Sequence, residues 1–161
     1  MTLVRLRLLW LLLMLCLGAS AQTTAANIAI VHRLFDDVAS RGQMGEIGQL
    51  VAPDFVAHGN PGEPADSLRG PAAMQAHMQV LRAAFPDLKF TVDQVVASGD
   101  RVAVRWTMTG THQGTILGVA PTGRKFRVAG MHIFRVANGK IHDSWSVLDV
   151  LSLLQQISPE K

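Results

Sequence analysis

The sequence contains no tyrosine and a single cysteine, and both shortages narrow its chemistry. Without tyrosine, no phenolic hydroxyl is available as an acid, a base or a hydrogen-bond donor. Cys16 lies in an N-terminal segment that we expect to be removed. The mature chain then has no disulfide, no cysteine nucleophile and no thiolate metal ligand, so its core must be stable without cross-links.

Charge is also sparse, since only 17% of the 161 residues are charged and the net charge is +3. The basic residues form no run and are not interleaved with aromatic side chains, so nucleic acid is not an expected partner. No histidine pair has the four-residue helical spacing of a zinc or iron site, so we predict no metal. With 48% hydrophobic residues, the chain is long and apolar enough for one folded domain.

The N-terminus has the layout of a secretory signal peptide. Arg5 and Arg7 precede an apolar run from Leu8 to Leu17, and the small residues 19–21 follow it. We predict cleavage after residue 21, export to a periplasm or beyond, and a single domain over residues 22–161. The apolar run is about half of the roughly 20 residues that span a bilayer, so no stable membrane insertion is expected after cleavage.

Apolar periodicity predicts helices early in the mature chain and strands later. The helices are expected over Ala25–Ser40, over a short stretch from Met44 to Val51, from Pro71 to the residue before Pro86, and over Leu151–Ile157. Strand patterns cover residues 54–58, 90–96, 102–108, 124–136 and 141–149. This order predicts an α+β fold with helices packed on one face of a curved antiparallel sheet.

Asn138 and Gly139 form the strongest hairpin signal in the chain. A two-residue turn there places His132 opposite Trp145, within reach of Asp143, with Asp149 further along the same face. A β-bulge would shift this register by one residue. The two carboxylates therefore have two interpretations. Either Asp143 is solvated near the turn and Asp149 caps the last helix, or an apolar cavity raises the pKa of one of them into the range of acid–base catalysis.

Several segments together resemble the SnoaL-like polyketide cyclase family, in the family's order and over about residues 26–157. These segments are Phe85–Leu88, Gly99–Val102, Gly110–Gly114, Pro121–Arg124, Asn138–Ile141, Trp145, Asp149 and Leu153–Gln155. The resemblance implies a nuclear transport factor 2-like cone around a deep apolar pocket, with no metal or organic cofactor. It also implies an Asp general acid/base for an aldol ring closure; Asp149 fits best, and Asp143 remains open.

The other candidates are histidines and aromatic residues. His132 is a candidate donor to an enolate oxygen, His58 and His77 are candidate pocket residues, and His112 is a candidate gate at the pocket mouth. Trp106, Phe134 and Trp145 are expected in the pocket wall. Each also has an ordinary structural interpretation, since a lone histidine or a buried tryptophan more often serves packing than chemistry.

We therefore expect a cofactor-independent acid–base enzyme that acts on a small apolar carbonyl compound by aldol-type cyclisation, isomerisation or a related lyase or hydrolase step. The resemblance also implies that related proteins which isomerise ketosteroids or dehydrate polyphenols depend on tyrosine hydroxyl groups. Because this chain has no tyrosine, neither activity is expected. An exported carrier that only binds a small apolar molecule is the alternative. A structural oligomer is a third possibility and predicts a pocket filled by side chains. Outer-face rows of Thr and Arg also suggest a homo-oligomer.

Overall fold

The computed structural model of the chain describes residues 24–58 and 68–159. The predicted signal peptide, residues 1–21, lies outside them, as does most of the loop expected after His58. Helix α1 is α-helical over residues 24–33 and continues as a π-helix over Leu34–Ser40. The backbone N–H of Arg41 accordingly donates to the carbonyl of Asp36, five residues earlier, at 3.0 Å. Such a widened turn is rare, and the apolar spacing alone did not indicate it.

The remaining helices lie where the periodicity predicts them. A 3-10 turn over Met44–Glu46 leads into the short helix α2, Ile47–Leu50. Helix α3 covers Gly70–Ala84 with its proline in the first turn, and helix α4 covers Val150–Ile157. None of the helices in the described part of the chain is both long and apolar enough to cross a membrane.

Six strands form one sheet, in the order β2-β1-β6-β5-β4-β3. Strands β1 and β6 are parallel, and every other neighbouring pair is antiparallel. Their bounds are Val51–His58 (β1), Leu68–Arg69 (β2), Lys89–Ser98 (β3), Arg101–Thr111 (β4), Lys125–Ala137 (β5) and Lys140–Leu148 (β6). The predicted α+β class is confirmed. One strand, β1, starts three residues earlier than expected and includes Pro53.

The last hairpin confirms the predicted turn but not the predicted register. Asn138 and Gly139 both have positive φ, 50° and 73°, as a type I′ turn requires. Ala137 pairs with Lys140 and Val136 with Ile141 as expected, but Arg135 then pairs with Asp143. His142 is therefore an extra residue, and this β-bulge shifts every later pair by one.

The sheet carries the core on the face that the helices cover. A second irregularity, between Val92 and Gln94 in β3, adds to its curvature. Phe55, Phe85 and Phe134 are the largest fully buried side chains. The helices and the sheet do not meet everywhere, and the space left between them forms a cavity.

Candidate active site

A cavity of about 640 Å³ lies between helices α1, α3 and α4 on one side and the inner face of the sheet on the other. An open cavity of this size does not fit a purely structural protein with a filled pocket. Its wall is mostly apolar, and none of the described residues that line it is Asp, Glu, Lys or Arg. The polar side chains in the wall are His58, His77, Thr115, His132, Ser144 and Ser146.

His132 lies on β5, and Trp106 of the neighbouring strand β4 holds it in place. The indole Nε1–H of Trp106 donates to Nδ1 of His132 at 2.8 Å. An indole nitrogen only donates, so Nδ1 must be the unprotonated nitrogen of the neutral ring, and the proton lies on Nε2. No partner for Nε2 is found in the part of the chain that the structure describes, and the ring borders the cavity.

Burial keeps the His132 ring neutral. Desolvation is the main cause that lowers the pKa of His132 to about 4. Repulsion from the nearby His77 ring, in its protonated form, lowers this pKa by a smaller amount. The ring also stacks on Phe134, with centroids 5.1 Å apart and planes within 5°. Phe35 meets it edge-on at 5.9 Å. At neutral pH the site therefore presents an uncharged imidazole in a fixed orientation.

His77 faces the same cavity from helix α3. Gly70 has a φ of 71°, which suits glycine, and Pro71 supplies the fixed φ of the first turn, so the helix begins where the pattern predicts. Burial lowers the pKa of His77 below its ordinary value. His77 and His132 are thus both neutral at neutral pH, and a neutral histidine has one nitrogen available as a base. Trp106 and Phe134 line the cavity as expected.

Ser144 and Ser146 are cavity residues that the sequence reasoning missed. They pair with Phe134 and His132 across the hairpin, so their side chains share the inner face. The unbulged register assigned this face to Asp143 and Trp145 instead. The sequence feature that could have indicated this face is the alternation of Ser144, Ser146 and Leu148. These three side chains point to the inner face of the sheet only if His142 is an extra residue.

Asp143 and Trp145 lie on the outer face of the sheet, so their predicted places in the pocket are wrong. Asp143 pairs with Arg135, whose Nε donates to its Oδ2 at 2.6 Å. Burial alone would raise the pKa of Asp143, but the hydrogen bonds from His58 and Arg135 and the Arg135 charge outweigh it and lower the pKa. The guanidinium of Arg101 lies 4.8 Å from the ring centroid of Trp145. Asp143 is therefore an ionised structural carboxylate that His132 cannot reach.

His58 stands at the edge between the two faces. It belongs to the cavity wall as expected, but its Nε2 is 2.8 Å from Oδ1 of Asp143 on the outer face. Its ring also stacks on Trp145, with centroids 4.6 Å apart. The parallel pairing of β1 with β6 sets this geometry, because His58 lies directly beside Trp145 in the ladder.

Asp149 is exposed and does not line the cavity, so its predicted position in the pocket is also wrong. It is the N-cap of helix α4, where its Oδ1 accepts the backbone N–H of Ser152 at 2.9 Å. The residues on either side, Leu148 and Val150, do line the cavity. The capping interpretation of Asp149 is the one that the geometry supports.

His112 is fully buried and does not line the cavity, which contradicts its predicted role as a gate. Its Nδ1 is 3.1 Å from the hydroxyl of Thr122. That hydroxyl donates to the carbonyl of Ile157 at 2.8 Å, so it accepts from Nδ1–H of His112. His112 therefore connects the loop between β4 and β5 to the end of helix α4, and its role is structural.

The sequence profile of the SnoaL-like polyketide cyclases matches residues 29–157. The chain belongs to the SnoaL-like polyketide cyclase family. The match covers most of α1, all of α3 and α4, and all six strands of the sheet.

Individual relatives agree with this membership. The aklanonic acid methyl ester cyclase of Streptomyces peucetius is 26% identical over 136 residues, which cover 83% of this chain and 91% of the relative. The enzyme of the same description from Streptomyces sp. strain C5 is 27% identical, over 81% of each chain. A crystal structure from Jannaschia sp. CCS1, assigned to the SnoaL-like polyketide cyclases, superposes with a TM-score of 0.75 at 30% identity, over 86% of this chain and 95% of that one.

Within residues 24–58 and 68–159, no three His, Cys, Asp or Glu side chains come together as a metal site would require. Among the described residues that line the cavity, the polar side chains suited to proton transfer are imidazoles and hydroxyls.

Proposed function

We propose that this protein is a cyclase that acts by acid–base catalysis on a small, neutral, apolar carbonyl compound. The observation that carries the proposal is a pair of neutral histidines, His77 and His132, in the wall of a cavity without a charged side chain among its described lining residues. A neutral imidazole in an apolar cavity can accept a proton directly, because it does not first have to lose one. The family membership supports cyclisation as the reaction class.

The two histidines have different roles in this proposal. His77 takes a proton from the carbon next to the substrate carbonyl, and His132 donates its Nε2–H to the oxygen that becomes an enolate. The enolate carbon then bonds to a second carbonyl carbon of the same molecule and closes a ring. The new alkoxide receives the proton that His77 holds, so the product is an isomer of the substrate.

The composition of the cavity wall favours an uncharged substrate. A carboxylate transferred from water into this apolar space would find no Arg or Lys among the described lining residues, and burying an unpaired charge is costly. The curated relatives are named as methyl ester cyclases, and a methyl ester is neutral where the corresponding acid is not. We therefore propose that the substrate is an ester or ketone, with Met74 and Met78 adapting to its shape.

The test uses aklanonic acid methyl ester as substrate and follows conversion to a product of unchanged mass. We expect turnover by the wild type, and a fall in kcat of about a hundredfold or more for His77→Gln and for His132→Gln, as for loss of a general acid–base group. His142→Gln is the matched control, since His142 lies on the outer side and its Nδ1 is 2.9 Å from Asp54. The free acid should be a much poorer substrate. Equal turnover by His132→Gln and His142→Gln would contradict the proposal.

Two alternatives are separated by the same assay. Asp149 lies between two cavity-lining residues, and a carboxylate base at this position would require its side chain to leave the cap of helix α4. Loss of turnover in Asp149→Asn, with His77→Gln and His132→Gln still active, would support Asp149 as the base. Binding of the ester without conversion, measured by a rise in Tm, would support the carrier function instead.

We further propose that residues 1–21 direct export of this cyclase and are then removed. The Arg5, Arg7 and apolar-run layout supports this. Expression of the full sequence in a bacterium should yield periplasmic protein whose intact mass corresponds to a chain that starts at Gln22. Full-length protein confined to the cytoplasm would contradict export.

A further inference from the structure

We infer that Trp106 and Gly130 act together as positioning residues that keep the proton of His132 on Nε2, so that His132 serves the substrate only as a hydrogen-bond donor. This inference rests on the proposed acid–base function for its consequences in catalysis. Its central claim concerns the protonation of one ring, which can be measured without any substrate.

Trp106 determines which nitrogen of His132 is protonated. A neutral imidazole exchanges freely between two forms, one with the proton on Nδ1 and one with it on Nε2. The 2.8 Å contact from Nε1–H of Trp106 to Nδ1 is a hydrogen bond only in the second form. In the first form two N–H groups would face each other, and Nε1–H of Trp106 would lose its acceptor.

Gly130 makes this position of Trp106 possible. Gly130 lies opposite Trp106 in the β4–β5 ladder. A Cβ atom added to Gly130 would come within 2.2 Å of Cζ2 and 2.3 Å of Cη2 of the indole, and within 2.8 Å of the Val147 carbonyl oxygen. These separations are far shorter than non-bonded contacts allow. Since the carbonyl belongs to the backbone, the indole would have to move, and its Nε1–H would leave Nδ1 of His132.

The aromatic neighbours of His132 prevent the ring from escaping this arrangement. Phe134 stacks on one face of the imidazole, and Phe35 meets it edge-on. A half-turn of the ring about its Cβ–Cγ bond, which would take Nδ1 away from Trp106, would have to open both contacts. The cavity therefore meets the same nitrogen, with its proton attached, and the substrate atom bound there must be an acceptor such as a carbonyl oxygen.

The first test is nitrogen NMR of wild-type protein labelled with ¹⁵N-histidine at pH 7. We expect the His132 signals of a neutral ring protonated on Nε2. In Trp106→Phe, which keeps an aromatic ring but lacks the N–H, we expect a mixture of the two neutral forms and a raised pKa of His132. With an active substrate, kcat should fall about tenfold while KM changes less than about threefold, since a donor needed in the transition state is then present only part of the time.

Gly130→Ala supplies a second, independent test, since it keeps the Trp106 N–H but displaces it. We expect the same loss of the Nε2–H form. Met108→Leu is the control: it alters the same strand and cavity wall and should leave the His132 proton on Nε2. A wild-type ring protonated on Nδ1, or one charged at pH 7, would overturn the inference, as would an unchanged His132 spectrum in both Trp106→Phe and Gly130→Ala. If the proton lies on Nε2 but no ester is turned over, the proposed function fails while the inference about the ring stands.

Discussion

His132 lies directly opposite Ser146 across the β5–β6 hairpin, and both side chains line the cavity. The turn at Asn138 and Gly139 alone would set His132 opposite Trp145. The extra residue at His142 moves the later part of β6 by one position and turns alternate side chains to the other face. One inserted residue thus places Ser144 and Ser146 on the inner face of the sheet, where an unbulged hairpin would place Asp143 and Trp145.

Engineered cysteine pairs can test this register, because the only natural cysteine, Cys16, lies in the predicted signal peptide. Met131 and Val147 are exposed partners on the outer face. Met131→Cys with Val147→Cys should form a disulfide on mild oxidation, since directly opposed positions have the required spacing. Met131→Cys with Ser146→Cys, the pair that an unbulged hairpin would bring together, should keep two free thiols by thiol titration. The reverse pattern would contradict the bulge.

Replacing Asp149 should affect stability rather than turnover. Asp149→Ala removes the acceptor for the Ser152 backbone N–H, and we expect a loss of about 1 kcal/mol in the free energy of unfolding. Asp149→Asn keeps a capping oxygen and should lose less. Urea unfolding measures the stability, and kcat should stay within about threefold of the wild type in both variants, since the side chain does not line the cavity. A dead Asp149→Asn enzyme with wild-type stability would show that the carboxylate acts chemically.

Asp143 should contribute to stability only while it is ionised. Its pKa is lower in the folded protein than in the unfolded chain, so its contribution is present above the ordinary carboxyl pKa of about 4 and is lost as the pH falls through the folded value. Because the Arg135 side chain is about one third exposed, we expect Asp143→Asn to cost only about 1 kcal/mol at pH 7.

Chemical denaturation of wild type and Asp143→Asn at pH 7 and near pH 2 measures this contribution. The difference between the two proteins should shrink at the lower pH. Asp54→Asn is the control, since Asp54 is 72% exposed beside His142 and should change stability little. An equal difference at both pH values would mean that the carboxylate charge is irrelevant.

His132 should make the protein less stable in mild acid. Its pKa is lowered to about 4 when folded and is near 6.5 when unfolded, so the unfolded chain binds a proton first as the pH falls. Its effect is nil above about pH 6.5 and grows to about 3 kcal/mol of lost stability near pH 4. The Tm of wild type should therefore fall more steeply between these values than that of His132→Gln. His77 is present in both proteins, so its own lowered pKa contributes equally, and parallel curves would contradict the burial of a neutral His132.

Local sequence patterns were sufficient for the elements of the fold. Apolar residues three and four apart gave the bounds of α1 and α3 to within a residue or two, and alternation gave strands β3 to β6. These patterns are sufficient because each helix or strand buries one face. The apolar residues of that face recur at a fixed spacing within the element's own sequence. The π-helical second half of α1 has the same spacing of apolar residues, so the pattern does not distinguish it from an α-helix.

The candidate site was predictable only in part. His77, Trp106, His132 and Phe134 were placed in the pocket correctly, since each lies on the apolar face of its own element. Asp143, Trp145 and Asp149 were misplaced because their positions depend on a bulge and a helix cap. His112 was misplaced because its partner Thr122 lies in the loop between β4 and β5. A bulge costs little and leaves no strong mark on the composition of a strand.

The amino-acid sequence by itself determined the order of helices and strands, the hairpin turn at residues 138–139, the family and the low content of charged residues. Only the tertiary structure decided which side of β6 faces the cavity and which nitrogen of His132 holds the proton. The physical reason is the distance along the chain over which each interaction acts. Turn and helix preferences depend on residues that are close neighbours in the sequence. The bond from Trp106 to His132 and the space above Gly130 exist only after strands β4 and β5 have paired.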